Sequence, residues 1–152
     1  MTDSGPEPAP GEGFTTVRIF DAPRNAVWRE WTTPEAFADW YGGTAAEVPV
    51  ETVEMDVRPG GSWRATMYAG RGTIEWRGEY LEVVEPERLV FTVTDQPGDV
   101  FDQCVVELSE LDDGRTEMRF TQTGGHMPPE GYERAKEGWG AFWDRMAERL
   151  AA

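Results

Sequence analysis

Hydrophobic and polar residues alternate along most of the chain. This two-residue period is the period of a β-strand. Between Pro49 and Thr123 this alternation recurs in six successive segments, separated by turn sequences such as Arg58-Pro59-Gly60-Gly61 and Asp112-Asp113-Gly114. Residues 14–20 supply one further strand, because they are rich in β-branched and aromatic side chains. Short turns between consecutive strands favour an antiparallel meander with one wet face and one dry face. The pattern therefore predicts a seven-stranded antiparallel sheet.

Two short helices are predicted between the first and second strands, and one long helix after the last strand. Asp21 offers an N-cap side chain with Pro23 in the first turn, and Thr33 with Pro34 repeats this start signal. Apolar residues recur at three- and four-residue steps over residues 132–150. This long helix supplies the cover that the dry face of the sheet needs. The order of elements predicts an α+β fold.

Two glycines, Gly138 and Gly140, flank Trp139 within the long helix. Each costs about 1 kcal/mol of helix propensity relative to alanine. We expect these glycines to allow close approach of the helix either to the sheet or to a bound group.

The chain has 152 residues, which corresponds to about one domain. Residues 1–13 contain three prolines, three glycines and three acids but no aromatic residue, so we expect a disordered tail there and a single domain over residues 14–152. No run of purely apolar side chains exceeds three residues. We therefore expect no membrane insertion and no secretory signal.

Acidic residues outnumber basic ones by 29 to 14, which gives a formal net charge of −15. This charge repels phosphate backbones and anionic headgroups, so nucleic acid and membrane surfaces are poor partners. Lys136 is the single lysine, a bias that fits either a salt-rich cell or biased codon usage. The single cysteine, Cys104, favours a reducing compartment, and the predicted location is cytoplasmic. The pattern does not determine the oligomeric state.

The order of elements and several short motifs resemble the START-like, helix-grip superfamily (SRPBCC), and within it the family of homologues of the heat-shock-protein-90 ATPase activator. The similarity extends over residues 14–150. The motifs that carry it are Asp21-Ala22-Pro23, Val27-Trp28, Trp31-Thr32-Thr33-Pro34-Glu35 with Trp40, Arg58-Pro59-Gly60-Gly61, Gly78-Glu79-Tyr80-Leu81-Glu82-Val83, Arg88-Leu89-Val90-Phe91-Thr92, Gly138-Trp139 and Phe142-Trp143.

This resemblance implies a strongly curved antiparallel sheet that grips the C-terminal helix, with an apolar cavity between them. Members of the wider superfamily bind lipids, sterols and polyketides, and some catalyse cyclisation, dehydration or ring oxidation. The resemblance thus implies a small apolar or amphipathic ligand.

The side chains predicted to face inward from the strands and the long helix are larger in total than the packing of a helix on a flat sheet requires. Core packing explains any one of these side chains, whereas together they predict a ligand cavity. Tyr80 and Gln122 are the candidate polar groups on this face. Alternatively, the Tyr80 hydroxyl is buried with a hydrogen-bond partner in the core, and Gln122 lies at a solvated strand end. The predicted ligand-binding residues are Trp63, Met67, Trp76, Tyr80, Phe91, Met118, Phe120, Gln122, Trp139 and Trp143.

His126 is the only histidine and follows Gly124-Gly125 in a predicted loop. A general-base role suits its ordinary pKa range, but a lone loop histidine is more often simply solvated. No second histidine and no cysteine cluster accompany it, so we predict no metal and no other cofactor. Cys104 alternates with Val106 and Leu108, which predicts a small buried hydrophobe.

Three functions follow as hypotheses. The first is a module that binds a small apolar molecule in the cavity. The second is an enzyme that uses the same cavity, with Tyr80 or His126 as acid or base. The third is a chaperone-cofactor or protein-interaction role for the acidic surface, whose sign would be a contiguous exposed apolar patch.

Overall fold

The computed structural model of the protein describes residues 12–70, 72–96, 98, 100–125 and 127–151. The elements are β1 (Gly13–Phe20), α1 (Arg24–Thr32), α2 (Pro34–Trp40), β2 (Ala46–Glu47), a 3₁₀ turn (Val50–Thr52), β3 (Glu54–Met55), β4 (Ser62–Ala69), β5 (Gly72–Val84), β6 (Arg88–Val93), β7 (Asp102–Glu110), β8 (Thr116–Thr123) and α3 (Pro129–Ala151).

All the strands pair antiparallel in one sheet of order β1-β8-β7-β6-β5-β4-β2, with β3 also paired to β4. The strands from β4 to β8 form the predicted meander, and β1 adds to β8. This sheet, with two short helices after its first strand and one long C-terminal helix, confirms the α+β helix-grip fold class.

The sheet has eight strands rather than the seven predicted, because Ala46–Glu47 adds a short strand before Pro49. The strand predicted after Pro49 is itself reduced to two residues. Residues Val50–Thr52 form a 3₁₀ turn, in which the Thr52 hydroxyl donates to the Pro49 carbonyl at 2.7 Å. Only Glu54–Met55 then pairs with β4, and the two-residue β2 pairs farther along the same strand. Alternation alone does not distinguish these short pieces from a full strand.

The predicted start of α2 is correct, whereas α1 begins two residues later than predicted. The N-cap of α1 is Pro23 rather than Asp21, and the Pro23 carbonyl accepts the first helical bonds from Ala26 and Val27. Asp21 lies two residues too early, because only the N-cap side chain itself reaches the free N–H groups of the first turn. Thr33 is the N-cap of α2 as predicted, although its side chain makes no capping hydrogen bond.

The middle of β5 approaches its neighbour very closely. A Cβ atom on Gly78 would lie 1.7 Å from the Thr92 carbonyl oxygen, which also accepts a hydrogen bond from Trp63 Nε1 at 2.9 Å. A register shift between Tyr80 and Glu82 follows two residues later. Such a bulge bends the strand at the point where β5 changes its pairing partner from β4 to β6.

The end of α3 is fixed to α1 and α2 by a small group of charges. Arg149 pairs with the buried Glu30 at 2.7 Å and with Asp39, which also pairs with Arg145 at 3.1 Å. Burial pulls the pKa of Asp39 upward, but the hydrogen bonds from the two arginines outweigh it and hold that pKa below its ordinary value. These contacts anchor α3 at its C-terminal end.

The chain before residue 12 lies outside the described residues, so most of the expected disordered tail does too. Gly13 already belongs to β1, and the Glu12 carbonyl accepts a hydrogen bond from the Gly124 amide. The folded part therefore begins slightly before Phe14. Among the described residues, no helix is long and apolar enough to cross a membrane.

Candidate functional site

A cavity of about 590 Å³ lies between α3 and the face of the sheet that α3 covers. Its wall on α3 extends from Gly131 to Phe142, which is about 16 Å at the rise of an α-helix. The helix comes closest to β1 and α2, and the cavity separates its first turns from the middle of the sheet. The cavity is lined by Tyr41, Ile74, Trp76, Val93, Thr94, Asp95, Gln96, Asp102, Gln122, Met127, Gly131, Arg134, Ala135, Gly138, Trp139 and Phe142.

The inner end of the cavity carries a chain of buried hydrogen bonds. Trp139 Nε1 donates to Gln122 Oε1 at 2.8 Å, and Gln122 Nε2 donates to Asp102 Oδ2 at 2.6 Å. The Tyr132 hydroxyl donates to Asp102 Oδ1 at 3.3 Å and accepts from the Gly125 amide at 2.8 Å. This network joins α3 to β7 and β8 and fixes the orientation of the Gln122 amide, since its oxygen and its nitrogen each have one specific partner.

The polar groups at the outer rim of the cavity are exposed. Asp95, Gln96 and Arg134 are open to solvent, whereas Asp102 and Gln122 retain only 3% and 6% of their accessible surface. The cavity thus has a charged rim, mainly apolar walls and a small polar floor. This distribution is typical of a site for a small molecule.

The predicted site residues divide between this cavity and the core. Trp76, Gln122 and Trp139 line the cavity. Trp63, Tyr80 and Phe91 instead surround a separate void of about 10 Å³, roughly the space of one water molecule. Met67, Met118, Phe120 and Trp143 line neither space and are buried to 3% exposure or less.

Helices α1 and α2 account for this division, because they fill the half of the sheet face that α3 leaves uncovered. Trp31 of α1 lies 5.9 Å from Phe91 and 6.0 Å from Phe120 between ring centroids. Phe37 of α2 lies 5.8 Å from Trp63 in an edge-on contact. The aromatic side chains of that half therefore pack on other aromatic side chains and leave no room for a ligand.

The family described as Activator of Hsp90 ATPase homolog 1-like protein matches residues 21–151. The chain belongs to this family. The resemblance found in the motifs is thereby confirmed. A comparison with curated proteins gives no match.

Solved structures show the same fold in relatives of similar length. Protein NE0264 from Nitrosomonas europaea is 26% identical, with a TM-score of 0.77 over 93% of this chain and 95% of that one. Protein CV1439 from Chromobacterium violaceum is 25% identical, with a TM-score of 0.78 over 91% and 97% of the two chains. An AHSA1 protein from Silicibacter pomeroyi shares the fold at 19% identity, with a TM-score of 0.78 over 91% and 96%.

Two titratable groups buried near the cavity, Tyr41 and Cys104, are held neutral. Burial raises the pKa of Tyr41 well above its ordinary value, with smaller contributions from Cys104 and Asp95. Burial likewise raises the pKa of the Cys104 thiol, and Asp102 adds to the shift. In this member of the activator-homologue family, neither group is an anion at neutral pH.

Tyr80, one of the two residues that the sequence suggested as an acid or base, is not among the described residues of the cavity wall. Tyr80 packs around the small void, and burial followed by the charge of Asp56 raises the pKa of its hydroxyl. That hydroxyl therefore stays protonated at neutral pH. His126 lies outside the described residues.

Sequence reasoning missed Asp102, which supplies the buried carboxylate at the cavity floor. A signal was available, because Asp102 shares the dry phase of β7 with Cys104 and Val106. A charged residue at a dry position marks a polar site or a buried partner. Among the described residues, no group of three or more His, Cys, Asp or Glu side chains is arranged to hold a metal ion.

The two glycines of α3 do not serve close packing against the sheet, so the first of the two alternatives is wrong, whereas close approach to a bound group stays a prediction. A Cβ atom added to Gly138 or to Gly140 would meet no atom within 4 Å. Gly138 lines the cavity, whereas Gly140 does not. The space beside Gly138 therefore belongs to the cavity itself.

Proposed function

We propose that this protein binds a small apolar or amphipathic molecule, of lipid-like or polyketide-like character, in the cavity between the sheet and α3. The observation that carries the proposal is the cavity of about 590 Å³, whose walls are largely aromatic and aliphatic. Ligand sites of small molecules have volumes of about 300–1,000 Å³ and a few placed polar groups. The hydrogen-bonded floor of Asp102, Gln122 and Trp139 supplies such groups.

The expected affinity follows from the apolar surface that a ligand would bury. About 200 Å² of ligand surface contributes about 5 kcal/mol before the costs of association are subtracted. A contribution of about 5 kcal/mol corresponds to a dissociation constant of about 0.2 mM, so generic apolar probes are expected to bind no more tightly than that, in the millimolar range. The cognate ligand would bind more tightly because it also forms specific polar contacts with the lining.

The test is a titration of the protein with 1-decanol, followed by tryptophan fluorescence and by calorimetry. Trp76 and Trp139 both line the cavity, so their emission reports directly on its occupancy. The variant Gly138→Leu places a side chain in the cavity. The matched control Gly140→Leu adds the same side chain two residues farther along, on the opposite side of the helix and outside the cavity lining. We expect binding to be lost in the first variant and kept in the second. Equal binding to the wild type and to both variants would contradict the proposal.

An enzyme that uses the same cavity is the second candidate, and Asp102 is the observation in its favour. A buried carboxylate at the floor of a ligand cavity is a candidate general base. Tyr80 is less suited to this role, because it lies at the separate small void. Mass spectrometry of a ligand recovered after incubation distinguishes the two functions. An unchanged ligand supports binding alone, whereas a product formed by the wild type and absent with Asp102→Asn supports catalysis.

A further inference from the structure

One positive charge on the cavity rim has no partner among the described residues. Arg134 is exposed, lines the cavity and forms no ion pair or side-chain hydrogen bond with another described residue. The two arginines nearer the end of the same helix, Arg145 and Arg149, are both paired with carboxylates. The charge at Arg134 is therefore available to a ligand.

The acidic groups of the cavity lining are already hydrogen-bonded within the chain. Both carboxylate oxygens of Asp102 accept hydrogen bonds at the cavity floor. On the rim, Asp95 accepts a hydrogen bond from Gln96 Nε2 at 3.2 Å. Among the described charged groups of the lining, Arg134 is thus the side chain that has no hydrogen-bond partner, which leaves its guanidinium free to pair with an anionic ligand group.

The position of Arg134 sets a direction for such a ligand. Phe142, at the other end of the cavity wall, lies eight residues farther along α3, which is about 12 Å. Tyr41 packs 5.3 Å from Phe142 and 6.1 Å from Trp76 between ring centroids, so this far end is aromatic. A ligand along the helix would meet charge at one end and hydrocarbon at the other.

We propose that the ligand is an amphipathic carboxylate, whose acid group pairs with Arg134 and whose hydrocarbon part lies along α3 toward Phe142. The planar guanidinium donates two parallel hydrogen bonds to a carboxylate, a geometry that a hydroxyl cannot use. This inference rests on the proposed function and deepens it by naming the chemical class of the ligand.

The experiment compares decanoate with 1-decanol, which share one chain and differ in the head group. Calorimetry measures both probes against the wild type, Arg134→Gln and the control Lys136→Gln. Lys136 is exposed on the same helix and lies outside the cavity lining, so the control removes one positive charge without touching the site. We expect Arg134→Gln to weaken decanoate about tenfold and to leave 1-decanol unchanged. Lys136→Gln should alter neither probe.

The possible failures are distinguishable. Decanoate that binds Arg134→Gln as tightly as the wild type overturns this inference alone, as does an equal loss in Lys136→Gln. Tighter binding of decylamine than of decanoate to the wild type overturns it as well, because the rim would then select a cation. Absence of binding by both decanoate and 1-decanol contradicts the proposed function and this inference with it.

Discussion

The substitution Gln122→Glu tests the hydrogen-bonded floor of the cavity with the smallest possible change of shape. In the wild type, the Gln122 amide nitrogen donates to Asp102 at 2.6 Å, while its oxygen accepts from Trp139. The substitution keeps the acceptor for Trp139 but replaces the donor by a second carboxylate oxygen. Two carboxylates then face each other in a buried site, which they occupy together only if they share a proton.

The expected loss of stability is set by whichever costs less free energy, keeping both carboxylates ionised or protonating one of them. Two ionised groups about 4 Å apart repel by about 4 kcal/mol at an effective dielectric constant near 20. Protonating a glutamate of ordinary pKa near 4.3 costs about 3.5 kcal/mol at pH 7 and about 1 kcal/mol at pH 5. We therefore expect a loss of about 3–4 kcal/mol in the free energy of unfolding at pH 7, and about 1 kcal/mol at pH 5.

The sign of this pH dependence is specific to a shared proton. The introduced carboxyl has a raised pKa in the folded state, so the folded variant keeps a proton that the unfolded chain releases. Its stability relative to the wild type is highest below about pH 4.3 and falls as the pH rises toward the folded-state pKa. The wild type is subtracted at each pH, because its own charge of −15 also makes its stability pH-dependent.

The assay is urea denaturation followed by circular dichroism at pH 5 and pH 7. Gln103→Glu is the matched control, since Gln103 is exposed on β7 and its added charge does not face Asp102. We expect that control to lie within about 0.5 kcal/mol of the wild type at both pH values. An equal loss for Gln122→Glu at the two pH values, or no loss at pH 7, would refute the reasoning.

Two further predictions concern the anchoring of α3 and the core. Arg149→Met should lower the free energy of unfolding by about 2 kcal/mol, because it leaves the carboxylate of Glu30 buried without its cation, whereas Arg58→Met at an exposed pair should change it by less than about 0.5 kcal/mol. Urea denaturation measures both, and equal effects would contradict this difference. Cys104 is fully buried with a raised pKa, so a thiol reagent should label the native protein only after unfolding. Rapid labelling of the native state would show that the core opens.

Much of the fold could be predicted from residue patterns, because alternation and helical periodicity report directly on local geometry. The order of helices and strands and the pairing of the meander follow from these patterns and from the turn residues. The short strands around Val50–Thr52 did not, since the Thr52 hydroxyl and its backbone select a 3₁₀ turn that no periodicity marks. Local hydrogen bonds of this kind compete with strand pairing.

The candidate site was only partly predictable, and the reason lies in what covers each half of the sheet. Alternation shows that Trp63 and Trp76 lie on the dry side of the chain, but it does not show whether a helix or a cavity lies over them. In the structure Trp63 packs against Phe37 of α2, whereas Trp76 lines the cavity under α3. Which element covers which strand is a tertiary property, set by the connection between β1 and β4.

The central claim is that a ligand lies between α3 and the sheet rather than within the aromatic core. Nuclear Overhauser contacts between bound 1-decanol and the tryptophan ring protons of the wild-type protein test it most directly. We predict contacts to Trp139 and Trp76, which line the cavity, and none to Trp63, which packs around the small void. Contacts confined to Trp63 and its neighbour Phe91 would contradict it.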